Sequence, residues 1–254
     1  MDPRTRAPTI VDTTQVLCTV LDTLQDLPTT PPSLYIDLEG ESLSRYGTIS
    51  IFQLYVLPTR RTYLIDVKNL GGSAFSTPSA SGNTLRSILE SATIPKVIFD
   101  VRHDSDALFA HFNVKLQGIQ DLQLMELATR ISGKSHVFGL SKCIQKDLAL
   151  SWSECSEFAR VKEIGIKLFD PKHGGSYQVF NARPLSDDLV LYCAQDVQYL
   201  PQLWACYNRK LERSPQWKTK VQSATKDRVA ASQRAVYNGN GPHMALAPPG
   251  WGSV

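Results

Sequence analysis

Nothing in this chain of 254 residues is apolar for long enough to span a bilayer. Its first residues, Met-Asp-Pro-Arg-Thr-Arg-Ala-Pro, are not followed by an apolar signal core, so no secretion signal is read there. Cysteine is sparse and scattered, at positions 18, 143, 155, 193 and 206. An odd count with no Cys-x-x-Cys pair argues against a disulfide framework and against a zinc knuckle. Reduced thiols in an intracellular protein of the cytoplasm or nucleus are the expectation. A Walker loop, a zinc-protease helix and a nucleophile elbow are also missing, as is any internal repeat.

What is present is an ordinary globular composition, 42% hydrophobic and 20% charged. The net charge of +3 is unevenly spread. Residues 207–238 carry eight basic side chains (Arg209, Lys210, Arg213, Lys218, Lys220, Lys226, Arg228, Arg234) against Glu212 and Asp227, leaving a slightly acidic remainder. A basic segment beside an acidic body suits a polyanionic partner; a solvated helix face is the plainer reading.

Periodicity sets the elements. Val16, Leu17, Val20, Leu21 and Leu24 recur at helical spacing behind Asp12 or Thr13 as cap, and Pro28 ends the run. Residues 33–39 alternate as a strand, with Leu34, Ile36 and Leu38 on one face and Tyr35, Asp37 and Glu39 on the other. Strands at 48–56 and 62–66 complete a three-strand meander. Residues 69–83 read as loop, 84–91 as helix, 96–99 as a buried strand, 105–112 as helix, 117–121 as a turn and short strand, and 122–131 and 140–147 as helices. A polar connection follows. A long helix is predicted over 187–212, with Ser186 as its cap and Leu189, Cys193, Val197 and Leu200 as its stripe. A basic helix over 216–237 and a Gly/Pro-rich tail over 239–254, expected to be disordered, end the chain. Strands that come first and then alternate with helices give an α/β fold with a mixed sheet flanked by helices.

The chemistry lies in three short segments. Asp37 and Glu39 project from one strand face and can share a hard cation; their oxygen donors suit Mg²⁺ or Mn²⁺. Tyr192 and Asp196 lie one helical turn apart, so a phenol stands beside a candidate ligand, where it can orient a water and help take its proton. Asp104 opens an apolar helix, with Asp100 and Asp106 as rivals in the same segment, and aspartate is also a favoured cap there. Asp121 reads as a structural cap. Each signal alone is weak.

Together, in this order and spacing, they resemble the tyrosine-containing branch of the DEDD superfamily of 3′–5′ exonucleases: RNase D, the Werner exonuclease domain and the Egalitarian-type domains. The strand with Asp37-Leu38-Glu39, the following Gly47 to Gln53 strand, Asp104 ahead of Leu108 and Phe109, and Tyr192-x-x-x-Asp196 carry the likeness. The flank at 182–200 resembles RNase D, and Gly174–Asn181 resembles the Egalitarian subgroup, some of whose members have lost catalytic residues.

The resemblance covers roughly residues 9–213. It implies an RNase H-like fold, with a flexible segment 1–8 before that unit and a separate helix 214–238 after it. It also implies two divalent metal ions, Mg²⁺ or Mn²⁺, about 3.5–4 Å apart. One would be held by Asp37, Glu39 and Asp196, the other by Asp37, with Asp104 reaching it directly or through water. The implied activity is removal of nucleoside 5′-monophosphates from single-stranded 3′ ends, RNA modestly preferred over DNA. The rival expectation is an RNA-binding scaffold with weak or no turnover. Candidate substrate contacts are Leu38, Gly40, His103, Lys167 and Arg183, with Lys162 and Lys172 as further phosphate-holding candidates and Tyr46 and Phe138 as candidate base-stacking aromatics.

Overall fold

The computed structural model describes residues 7–252, so most of the segment expected to be flexible, residues 1–6, lies outside the described residues. Strand β1 (Thr9–Val11) leads into α1 (Thr14–Asp22), whose first turn is capped by the Thr13 side chain accepting from the Val16 amide. The meander follows as β2 (Leu34–Glu39), β3 (Ile51–Val56) and β4 (Arg61–Ile65). Two short helices, α2 (Val67–Leu70) and α3 (Ser73–Ser76), lie where a loop was expected. Asp66 caps the first, and burial of Ala74 and Phe75 holds the second. Then come α4 (Leu85–Glu90), β5 (Lys96–Ile98), α5 (Arg102–Phe112), β6 (Ile119–Asp121), α6 (Leu122–Thr129) and α7 (Leu140–Asp147).

The sheet runs β1-β4-β3-β2-β5-β6. The pairs β2–β3 and β3–β4 are antiparallel, while β1–β4, β2–β5 and β5–β6 are parallel. The sheet is therefore mixed, with helices on both faces. Leu34, Ile36 and Leu38 of β2 enter a core shared with α1, α3, α4 and α5. Tyr35 enters the opposite core, with α6, α7 and the later helices. Strand alternation thus delivers Asp37 and Glu39 to that second face. Among the described residues no helix is long and apolar enough to cross a membrane.

Four expectations change beyond α7. The supposed polar connection contains an 18-residue helix, α8 (Trp152–Phe169). Its start is a capping box: the Ser151 side chain accepts from the Glu154 amide, and Glu154 accepts from the Ser151 amide. Phe158, Val161 and Gly165 form its buried stripe. The long helix over 187–212 is two helices, α9 (Asp187–Gln198) and α10 (Leu200–Leu211). Pro201 has no N–H to continue the ladder, and the chain bends at Tyr199.

Helix α11 (Pro215–Ser232) is not a detached basic rod. It packs on α5, α6 and β6, burying Val221, Ala224, Thr225 and Arg228. The tail, in turn, is ordered through residue 252. Val137 donates to the Ala245 carbonyl and Ala247 donates to the Ser135 carbonyl, so the tail pairs with 135–137. Trp251 is buried against Trp217. Gly241 and Gly250 have positive φ, so the glycines build turns here.

Candidate active site

The C-terminal end of β2, the first turn of α5 and one face of α9 converge. Helix α9 packs across β2, β3 and β4, with Leu189 and Cys193 buried against Ile51 and Leu64. Tyr192 and Asp196 therefore face the strand that carries Asp37 and Glu39. The Tyr192 hydroxyl lies near the Glu39 carboxylate and opposes the stronger upward push that burial exerts on it. Its ring is held by Phe169, 5.3 Å away between centroids, which also packs on Phe180. After Glu39 the chain turns back tightly. A side chain at Gly40 would meet the Thr48 carbonyl oxygen at 2.0 Å, so Gly40 is required by this close approach. Tyr46 stands 86% exposed on the same loop.

The three aspartates of the α5 segment separate cleanly. Asp100 is bound by Arg102 through two contacts of 2.6 Å, with Arg228 at 3.4 Å. Asp106 accepts from the Arg45 amide at 2.8 Å and from Arg45 Nε at 2.6 Å. Asp104 is 3% exposed, and among the described residues no hydrogen bond or ion pair reaches its carboxylate. Burial together with the charges of Asp37, Asp100, Glu39 and Asp121 pushes it well above the ordinary aspartate value. Asp121 is a cap and a strut: it accepts from the amides of Asp100, Val101, Gln123 and Leu124 and from Arg228.

The cluster is electrostatically loaded. Burial and the Asp196 charge push Asp37 up to about 7. Burial, Asp37 and Asp196 push Glu39 well up. Burial and the same carboxylates raise the Tyr192 phenol. Among the described residues one cation answers them: Lys162, reaching from α8, donates to Asp196 Oδ1. Its ammonium also lies 4.5 Å from the centre of the Tyr192 ring. Burial alone would lower this lysine, but Asp196, Glu39 and Asp37 hold it above its ordinary value. Among the described residues, no three His, Cys, Asp or Glu side chains are already gathered closely enough to hold an ion.

The expected substrate contacts fare differently. Leu38 is 2% exposed and packed in the core, so its side chain is withdrawn from the site. Arg183 is corrected outright. Its guanidinium binds both oxygens of Asp66 at 2.6 Å and donates to the carbonyls of Ser50, Phe180 and Ala182, which consumes its donors. Lys167 stands on the outer side of α8, ion-paired with Glu163 and 62% exposed. His103 precedes Asp104 with its Nδ1 buried and unpartnered, beside Gly239 and Tyr237. Phe138 lies under Arg130 and Lys142, with its face at 3.5 and 3.6 Å from them. Sequence reasoning named Lys162 only as one of several phosphate-holding lysines and missed Gly165, where α8 meets the Tyr192 ring. The capping box at Ser151–Glu154 was the available signal for the helix that carries both.

A 3′–5′ exonuclease family model matches residues 8–212, four fifths of the chain and all three acidic segments. The chain belongs to the 3′–5′ exonuclease family. A curated relative, human piRNA biogenesis protein EXD1, is 27% identical over 168 residues, covering 66% of this chain and 30% of that protein. The chain spans less than a third of the length of the curated relatives it matches. In fold, this exonuclease-family chain is similar to Trypanosoma brucei RNase D in complex with RNA U12. The TM-score is 0.74 at 20% identity over 98% of this chain and 79% of that one. It is also similar to Brucella melitensis NrnC with bound Mg²⁺, with TM-score 0.55 at 18% identity over 85% of this chain and 96% of that one.

Proposed function

We propose that this protein is a metal-dependent exonuclease that removes nucleoside 5′-monophosphates from the 3′ end of single-stranded nucleic acid, RNA modestly preferred, with residues 9–213 as the catalytic unit. The observation that carries the reading is Asp104. A buried carboxylate with no cation of its own, facing Asp37 and Glu39, is a costly arrangement unless a cation joins it. The donor set fits such a group: Asp37, Glu39, Asp104 and Asp196 offer only hard oxygen ligands, as Mg²⁺ and Mn²⁺ prefer. The Mg²⁺ in the NrnC structure and the RNA in the RNase D structure support the choice of ion and polymer.

In this reading Asp37, Glu39 and Asp196 would hold one ion, and Asp37 with Asp104 the other. The pair of ions, when bound, supplies Lewis acidity at the scissile phosphate and stabilises the departing 3′ oxygen. The chain's own residues do the rest. The Glu39 carboxylate stands beside the Tyr192 hydroxyl. That hydroxyl orients the attacking water and relays its proton. Phe169 keeps the ring in place while it does so.

A 5′-labelled single-stranded RNA and its DNA counterpart, incubated with Mg²⁺ or Mn²⁺ and then with chelator, test this directly. Stepwise shortening from the 3′ end is expected, abolished by chelator and by Asp37→Ala. Tyr192→Phe should slow it by about 10²–10⁴-fold. A second reading, an RNA-binding scaffold with weak or no turnover, is favoured by the absence of a ready-made ion cage among the described residues. Binding of the RNA with no shortening under any metal condition would establish it in place of the first.

A further inference from the structure

The carboxylate cluster is not simply open. Helix α8 lies against α9 and sends Lys162 across the Tyr192 ring to Asp196 Oδ1. Asp196 is 3% exposed, and Lys162 is the one side chain that ion-pairs with it among the described residues. Asp37 and Glu39 also act on this ammonium electrostatically. Of the three carboxylates suited to hold an ion together, Asp196 is therefore already paired with a positive charge, which Asp37 and Glu39 feel at longer range. As placed, they are not gathered closely enough to hold an ion.

We propose that Lys162 is a built-in counter-ion that occupies the cation position at Asp196 until a divalent metal displaces it, so that metal loading and the Lys162–Asp196 pair exclude each other. This rests on the metal-site reading above and adds a regulatory step to it.

Two features make the exchange workable. The Lys162 side chain is 15% exposed, so part of it already borders solvent. Its four-carbon stem lets the ammonium swing away while α8 stays docked through Phe158, Val161 and Gly165. The consequence is reciprocal. A charge that steadies the metal-free cluster must oppose the incoming ion by the same coupling. An ammonium and a divalent cation competing for one carboxylate oxygen repel strongly at such a distance. The full protein therefore resists collapse of its carboxylate pocket without metal and gives up affinity for the ion in return.

The test is Mn²⁺ binding by calorimetry on the full chain, together with thermal melting in chelator, for the wild type, Lys162→Met, Lys162→Gln and the charge-keeping Lys162→Arg. The neutral variants should bind Mn²⁺ at least about tenfold more tightly than wild type. In chelator they should melt lower. Lys162→Arg should stay near wild type in affinity. Gln retains a polar end, so it serves if Met folds poorly. Wild-type binding with equal or weaker binding by the neutral variants overturns the counter-ion role and leaves the metal site standing. If no variant and no wild-type sample binds Mn²⁺, the metal-site reading falls, and this inference falls with it.

Discussion

A Cβ atom on Gly165 would lie 2.0 Å from Cδ2 of Tyr192 and 2.6 Å from its Cγ. These are the inner atoms of a ring clamped by Phe169, not the free end of a flexible chain. The glycine is therefore what lets α8 approach α9 closely enough for Lys162 to reach Asp196. Alanine gains about 1 kcal/mol of helix propensity over glycine. Overpacking a buried ring costs about 1–3 kcal/mol. The clash outweighs the propensity, and Gly165→Ala should melt lower than wild type. Its nuclease rate should fall further, by about 100-fold, because a displacement near 1 Å spoils the alignment of a catalytic hydroxyl. Melting curves and single-turnover rates on the same preparation check both.

Asp100 and Asp104, four residues apart, should respond in opposite ways. Removing the Asp100 carboxylate takes away the Arg102 guanidinium's ion-pair partner, while Arg228 keeps its shorter pair with Asp121. About 2–3 kcal/mol of stability should be lost in Asp100→Ala, less than for a fully enclosed pair because its side chain is 21% exposed. Asp104→Asn instead removes a buried charge repelled by Asp37 and Glu39. It should melt no lower than wild type in chelator. Its activity should drop at least about 100-fold, the scale of losing one oriented electrostatic group. Denaturant titration and nuclease rates of the two variants separate the roles. A catalytic collapse in folded Asp100→Ala with full activity in Asp104→Asn would reverse the assignment.

Much of this site is readable from the chain, and the unread parts differ in cause. The alternation Tyr35, Asp37, Glu39 against Leu34, Ile36, Leu38 is a local property, so β2 and its acidic face follow from seven residues. So does α9, from Ser186 and its stripe. The choice among Asp100, Asp104 and Asp106 is only partly local. Asp100 is taken chiefly by Arg102, two residues on, but Arg228, which supports it, and Arg45, which takes Asp106, lie 128 and 61 residues away from their partners. Pro201 lies inside the expected helix 187–212, and its missing N–H is a local signal for the division there. Helix α8 had its capping box, but a stripe of only Phe158, Val161 and Gly165 is thin evidence when a glycine fills one of the positions. The tail failed for a different reason. Composition measures the entropy a Gly/Pro-rich segment must lose on ordering. It says nothing of the strand partner at 135–137 or the aromatic socket that compensates.

Stability should depend on pH through the carboxylate cluster. In the folded, metal-free protein Asp37 is pushed up to about 7 from an ordinary 3.8, and Glu39 and Asp104 move the same way. The folded state then keeps protons that the unfolded chain has released. This contribution is fully present below about pH 4 and is lost as pH rises through about 7. In chelator, melting of the wild type should carry a component that declines over that window. Asp37→Asn should flatten it. Divalent metal replaces the protons, so Mn²⁺ should raise the melting temperature more at pH 8 than at pH 5.5. Equal metal-induced shifts at both pH values would contradict the origin assigned to the loading.

The tail offers a test of its own, because composition and contacts point in opposite directions. Trp251 is 4% exposed, and its ring stands at 77° to Trp217 with 5.1 Å between centroids. The same Trp217 carries the Lys134 ammonium 3.8 Å from its centre, and Lys134 in turn donates to the Ala128 carbonyl of α6. Loss of Trp251 therefore uncovers a stack that ties α11 to α6. Trp251→Ala should cost about 3 kcal/mol, or about 6–12 °C in melting for a domain of this size. Removing residues 239–254 should cost at least as much, since it also frees the Arg102 guanidinium from the Met244 carbonyl at 2.8 Å. Hydrogen exchange gives an independent reading: the Val137 and Ala247 amides, each bonded across the tail, should be protected in wild type and exchange freely in Trp251→Ala, and the Val137 amide should exchange freely in the truncated chain as well. A disordered tail would leave the melting temperature unchanged by either alteration, because a segment without contacts has none to lose.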